Sequence, residues 1–142
     1  MTTIKRFEDL HRWLSARELV NMVYKAISEP PFNRDFGLCD QIRRAAVSVM
    51  SNIAEGLNAG SDAEFMRFLS FSRRSVSEVQ SQSYIALDQE YSTQDIFNKI
   101  YSKANETEKQ INAFISYLNK SRHSIKENPA IYSLDLQDLS DL

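Results

Sequence analysis

Four stretches of apolar residues at helical spacing, separated by short breaks, constrain this chain more than any other feature. In the first, residues 9–28, Leu10, Trp13, Val20, Val23, Tyr24 and Ile27 recur at intervals that line one side of a helix. Pro30 and Pro31 then stop it, because proline lacks the backbone N–H and clashes with the preceding turn. The second stretch, residues 37–55, carries Ile42, Ala45, Ala46, Val49 and Ile53. Gly56 and Gly60 bracket the turn that follows, and a glycine just past a helix end readily takes the left-handed conformation. Ser61, Asp62, Ala63 and Glu64 form the pattern of a capping box, which opens the third stretch: Phe65, Phe68, Leu69, Val76, Val79, Ala86 and Leu87. Ser72 and Ser83 are small members of that seam. Ser92 or Thr93 caps the fourth, whose stripe of Ile96, Phe97, Ile100, Tyr101, Ala104, Ile111, Phe114, Ile115 and Leu118 fades near Arg122.

Only three glycines and three prolines occur in 142 residues, too few for a turn-rich β fold. A chain of this length buries enough surface to fold without disulfide or metal staples. The expected fold is all-α: an up-down-up-down antiparallel four-helix bundle over residues 1–122, because short connections favour antiparallel neighbours. Phe68, Val76, Ile100 and Phe114 are its expected core residues. Residues 123–142 read as an acidic C-terminal tail, flexible or docking on a neighbour.

The charge is −2 overall, unlike the strongly basic balance usual in general nucleic-acid binders. Its distribution is uneven. Residues 127–142 hold Glu127, Asp135, Asp138 and Asp141 and no base, whereas all 17 Lys and Arg precede them. No apolar h-region or membrane-length apolar run is visible, and the lone Cys39 fits a reducing compartment, so a cytoplasmic location is expected. His11 and His123 lack the company of a metal site. Cys39 has no assignable His partner, and no phosphate loop, dinucleotide fingerprint or nucleophile elbow occurs. No enzymatic activity, cofactor or metal is expected.

The second stretch is apolar or small around more of its circumference than a single core requires. Gln41, Arg44, Ser48, Asn52 and Glu55 fall in one narrow polar band, with Arg43 outside it. Arg44 with Asn52 and Glu55 could hold a phosphate, but without a nucleophile, His or second acid they are a poor catalytic set; a structural or interface role is favoured. On the third stretch Arg67, Phe71 and Arg74 share a face. Such a trio could stack on bases; an Arg74–Glu78 pair with Phe71 covered by another chain is the favoured alternative. The candidate interface or partner-binding residues are therefore Arg43, Arg44, Ala46, Asn52, Glu55, Arg67, Phe71 and Arg74.

The run from Gln41 through Asn52, Ile53, Ala54, Glu55 and Gly56 resembles the four-helix bundle family named for proteins encoded in 23S rRNA intervening sequences. The resemblance spans residues 7–120 and includes Phe7, Glu8, Asp9, Leu10 and Trp13, then Glu64, Phe65, Arg67, Phe68 and Leu69, and Ser75 and Glu78. Met50, Ala59 and Arg74 depart from the family's usual Pro, basic residue and Gly. The resemblance implies a bundle that assembles into a ring, with a homopentamer as the expected state. It also implies a link to a basic group of reverse-transcriptase accessory proteins, and hence an RNA or nucleoprotein partner as the alternative function to a non-enzymatic oligomeric scaffold.

Overall fold

A computed structural model describes residues 6–127, with side chains through Lys120. The tail beyond Glu127, including the aspartates at 135, 138 and 141, lies outside the described residues. Four helices account for nearly all of the described chain: α1 (His11–Ile27), α2 (Phe36–Leu57), α3 (Asp62–Asp88) and α4 (Gln94–Glu127). Among the described residues there is no strand. The fourth helix outlasts its apolar stripe, continuing past Arg122 to Glu127.

The helix starts follow local chemistry. Asp35 caps α2, its Oδ1 accepting from the Leu38 N–H at 3.0 Å, and Thr93 caps α4 by accepting from Ile96 N–H at 3.2 Å. Ser61 caps α3 through the Glu64 N–H at 3.2 Å. The Glu64 carboxylate faces Arg67 at 3.3 Å, so only the serine half of the expected box is made. Of the two glycines at the α2–α3 turn, Gly60 alone takes a positive φ, 86°. Gly56 instead sits inside the last turn of α2, buried. A Cβ there would lie 2.9 Å from Phe65 Cδ1 and 3.0 Å from Phe68 Cβ, so its absence is what allows α3 to approach.

Each helix packs on two others: α1 on α2 and α4, and α3 on α2 and α4. Contacts between α2 and α3 step down one helix as they step up the other. Gly56 meets Phe65, Ser72 Oγ donates to Val49 O at 2.7 Å, and Ser75 Oγ donates to Ser48 Oγ at 2.9 Å. The same opposed register joins α3 to α4, with Arg73 bonded to Asn112 and Gln80 to Asn105. It also joins α1 to α4, where Ser15 and Thr107 hydroxyls are 2.7 Å apart. The core runs the length of these four helices, from Leu10 and Leu118 to Phe32 and Ala86. Tyr91 ties one end together: its hydroxyl donates to Asp35 Oδ2 at 3.0 Å and its ring stacks on Phe32.

Val76, Ile100 and Phe114 are buried as expected. Phe68 is not; it is half-buried and outside the core. Phe65 and Leu69 share its side of the helical wheel and take the inward positions, leaving Phe68 at the margin.

Candidate functional site

The candidate residues all lie on α2 and α3. Phe71 lies one turn beyond Phe68, the two rings edge to face at 6.2 Å, and both are half-buried. The Arg67 guanidinium lies 5.4 Å from the Phe71 ring centroid and that of Arg74 5.8 Å. These are the i−4 and i+3 neighbours, the spacing at which helical side chains meet. Two cations thus cover the ring's electron-rich face, each contact worth about 0.5–1 kcal/mol at an exposed site. Arg67 also holds Glu64. Among the described residues no ion pair joins Arg74 to Glu78, contrary to the pairing expected from their spacing.

Beside this cluster, Gln41, Arg44, Ala45 and Ser48 of α2 and Ser75, Glu78 and Gln82 of α3 line a groove of about 320 Å³. Asn52 extends the polar band by donating to Ser48 O at 2.8 Å and Ser48 Oγ at 2.9 Å. Asp40 organises the arginines: it accepts from Arg44 at 3.0 Å and from Arg43 at 3.2 Å. Hydrogen bonds from Arg44 and then Arg43 pull its carboxyl below the usual range. Arg44, inside the sequence-derived band, and Arg43, outside it, are therefore brought together by a residue that the sequence reading did not single out. Glu55 is exposed.

Ala46 leaves the candidate set. It is fully buried within the subunit, facing the bundle core, and no neighbouring chain can reach it. The surplus apolar surface of α2 lies elsewhere, on the stripe through Phe36, Val47 and Met50. Phe36 is 80% exposed, Val47 39%, and Met50 is half-buried. Helical spacing places these three on one face of α2.

The singletons take structural places. His11 is exposed. Cys39 is buried, its thiol donating to Phe32 O at 3.1 Å; burial, then Asp35, push its pKa up, which suits an unreactive thiol. Among the described residues no group of His, Cys, Asp or Glu could hold a metal ion, and no helix is long and apolar enough to cross a membrane. The sequence reading missed Arg12. It is 1% exposed with its guanidinium 4.1 Å from the Phe114 ring centroid, and burial lowers its pKa to about 10. Its position between Leu10 and Trp13 was the available signal.

This is an all-α protein of four packed helices whose candidate partner-binding residues lie on α2 and α3. Residues 8–113 match the family described as 23S rRNA-intervening sequence protein, and the chain belongs to that family. A solved structure with the same fold is a protein of unknown function from the S23 ribosomal protein family of Bacteroides thetaiotaomicron. The two are 23% identical, with 74% of this chain and 95% of that one covered and a TM-score of 0.68. No curated protein matches the chain.

Proposed function

We propose that this protein is a non-enzymatic scaffold whose up-down-up-down bundles associate side by side into a closed ring, with a homopentamer as the expected state, in the cytoplasm. One observation carries the reading: Phe71, braced by two arginines and backed by Phe68, lies half-buried outside the core of a helix that has already filled its inward stripe. Apolar clusters left partly uncovered in this way mark association surfaces. A head-to-tail ring needs two different surfaces on each subunit. The α3 cluster supplies one, and the α2 stripe with Phe36 and Val47 supplies the other. In this reading Arg43, Arg44, Glu55, Arg67 and Arg74 pair at the rim, and Asn52 hydrogen-bonds there.

Light scattering on the intact chain tests this directly. An assembly several times the 16.4 kDa subunit mass is expected at tens of micromolar, and a monodisperse monomer there rejects the reading. Phe71→Asp should dissociate the assembly while leaving helicity intact. Ala46→Asp should unfold the chain instead, since it places an unpaired charge in the core.

Arg67 and Arg74 around an aromatic ring also support a second reading, an RNA- or nucleoprotein-binding accessory role, because that arrangement suits base stacking and phosphate contact. The −2 net charge opposes it. Submicromolar binding to generic RNA at about 150 mM salt would favour it over the scaffold.

A further inference from the structure

The polar groove between α2 and α3 carries opposite charges on its two walls, an arrangement the ring reading does not explain. Ser48 meets Ser75 across it at 2.9 Å, and the two helices run in opposed register. Arg44, four residues before Ser48, is therefore about level with Glu78, three residues after Ser75, and Gln41 with Gln82. From the serines to the glutamines is seven residues on each helix, about 10 Å. The volume of about 320 Å³ is at the small end of the range for ligand pockets.

Each wall keeps a charge that its own neighbours do not neutralise. On α2, Asp40 is shared between Arg43 and Arg44, so two arginines and one carboxylate leave +1. On α3, among the described residues no ion pair engages Glu78, and Arg74, one turn away, covers Phe71 instead. The neutral groups are only part-used. Ser48 Oγ accepts from Ser75 Oγ and from Asn52 Nδ2, so its own O–H is left to donate, and among the described residues nothing accepts it. Gln82 Oε1 is buried with no donor in hydrogen-bond reach, a cost that turning the amide toward a bound N–H removes.

Charge decides what fits. A lone anion on Arg44 is repelled by Glu78, and a lone cation on Glu78 is repelled by Arg44. A neutral molecule takes water from both charges and puts no counter-charge in its place. A molecule whose carboxylate and ammonium are joined through one carbon satisfies both walls. We propose that the groove binds a free amino acid, its carboxylate on Arg44 and the Ser48 hydroxyl of α2 and its ammonium on Glu78 of α3. An amide-bearing side chain then lies along the groove toward Gln41 and Gln82. The site is built within one copy, so it goes beyond the ring reading and does not rest on it. Of the rim residues only Arg44 takes part.

Saturation-transfer NMR on the intact chain with L-glutamine tests it. Saturable binding is expected with a Kd of about 1 mM, the scale for a small polar ligand in an open groove. N-acetyl-L-glutamine lacks the ammonium and L-glutaminamide lacks the carboxylate. Each should bind about tenfold or more weakly, the effect of one lost charge-assisted hydrogen bond. Arg44→Met and Glu78→Gln, both at exposed positions, should weaken L-glutamine binding as much, whereas Lys99→Met on α4 should leave it unchanged. No saturation by about 10 mM would overturn the proposal. So would equal binding of the three compounds by the parent chain, or undiminished binding by the Arg44 and Glu78 variants. A monomer in light scattering that binds L-glutamine removes only the ring reading; an oligomer that does not bind it removes only this site.

Discussion

The seam between α2 and α3 and the seam between α1 and α4 join helices in opposed register, yet they are built from opposite materials. The α2–α3 seam uses Gly56, Ser48, Ser72 and Ser75, whose hydroxyls bond to a backbone carbonyl or to each other across the gap. The α1–α4 seam uses long side chains. Arg12 lies over Phe114, Lys103 reaches from α4 to Glu18 at 2.7 Å, and Ser15 and Thr107 meet as small groups. Small residues let helix axes approach, and bulky neighbours such as Phe68 and Phe71 are left at the flank. Long side chains fill the α1–α4 seam and spend their charges there. The α2 and α3 surface used in the ring reading thus lies beside the seam built from small residues.

The contrast can be broken most severely from the α1–α4 side. Phe114 fills the core and carries Arg12 on its face, so Phe114→Ala should cost about 3–5 kcal/mol in a urea titration. A loss under about 1 kcal/mol would mean that the seam repacks without it. On the other side Gly56→Ala should cost about 1–3 kcal/mol, because the added methyl meets Phe65 and Phe68 at overpacked distances. A neutral result would show that α3 can retreat, and that the seam is not tight. Ser15→Ala should cost about 1 kcal/mol. Thr107 already donates to Lys103 O at 2.8 Å, so Ser15 is the donor in their pair and its loss deletes one buried bond.

The smallest effect distinguishes the seams by pH. Hydrogen bonds from Lys103 to Glu106 and Glu18 raise its pKa in the folded chain. A base with a raised folded pKa stabilises fully below its unfolded value and loses that contribution as pH rises through the folded one. Stability of the parent chain should therefore fall more steeply above the ordinary lysine range than that of Lys103→Met, by at most about 1 kcal/mol because Glu18 and Glu106 are exposed. Variants of Ser72, which carries no titrating group, should leave that slope unchanged.

Much of the architecture was legible in consecutive residues. The Pro30–Pro31 pair, Ser61 and Thr93 as caps, and the three- and four-residue spacing of apolar side chains are local signals, and the four helices begin and end within a few residues of them. The candidate surface was legible only in part. Arg67, Phe71 and Arg74 share a face because helical geometry requires it. Their actual grouping, two cations on one ring instead of an Arg74–Glu78 pair, depends on rotamers that spacing leaves open.

What the sequence determined by itself is the number, extent and amphipathic character of the helices, since each of these follows from interactions within a few residues along one chain segment. What the tertiary structure alone decided is sidedness. On α2 nearly every direction is apolar or small, so periodicity cannot say that Ala46 points inward while Phe36 and Val47 point out. On α3, Phe65, Phe68 and Leu69 compete for one inward stripe, and Phe68 is left at its edge. Gly56 shows the same dependence: its role is set by the approach of Phe65 and Phe68 from another helix, not by the turn that follows it. A stripe wider than the space offered by its partners must leave some of its members outside, and only the packed neighbours define that space.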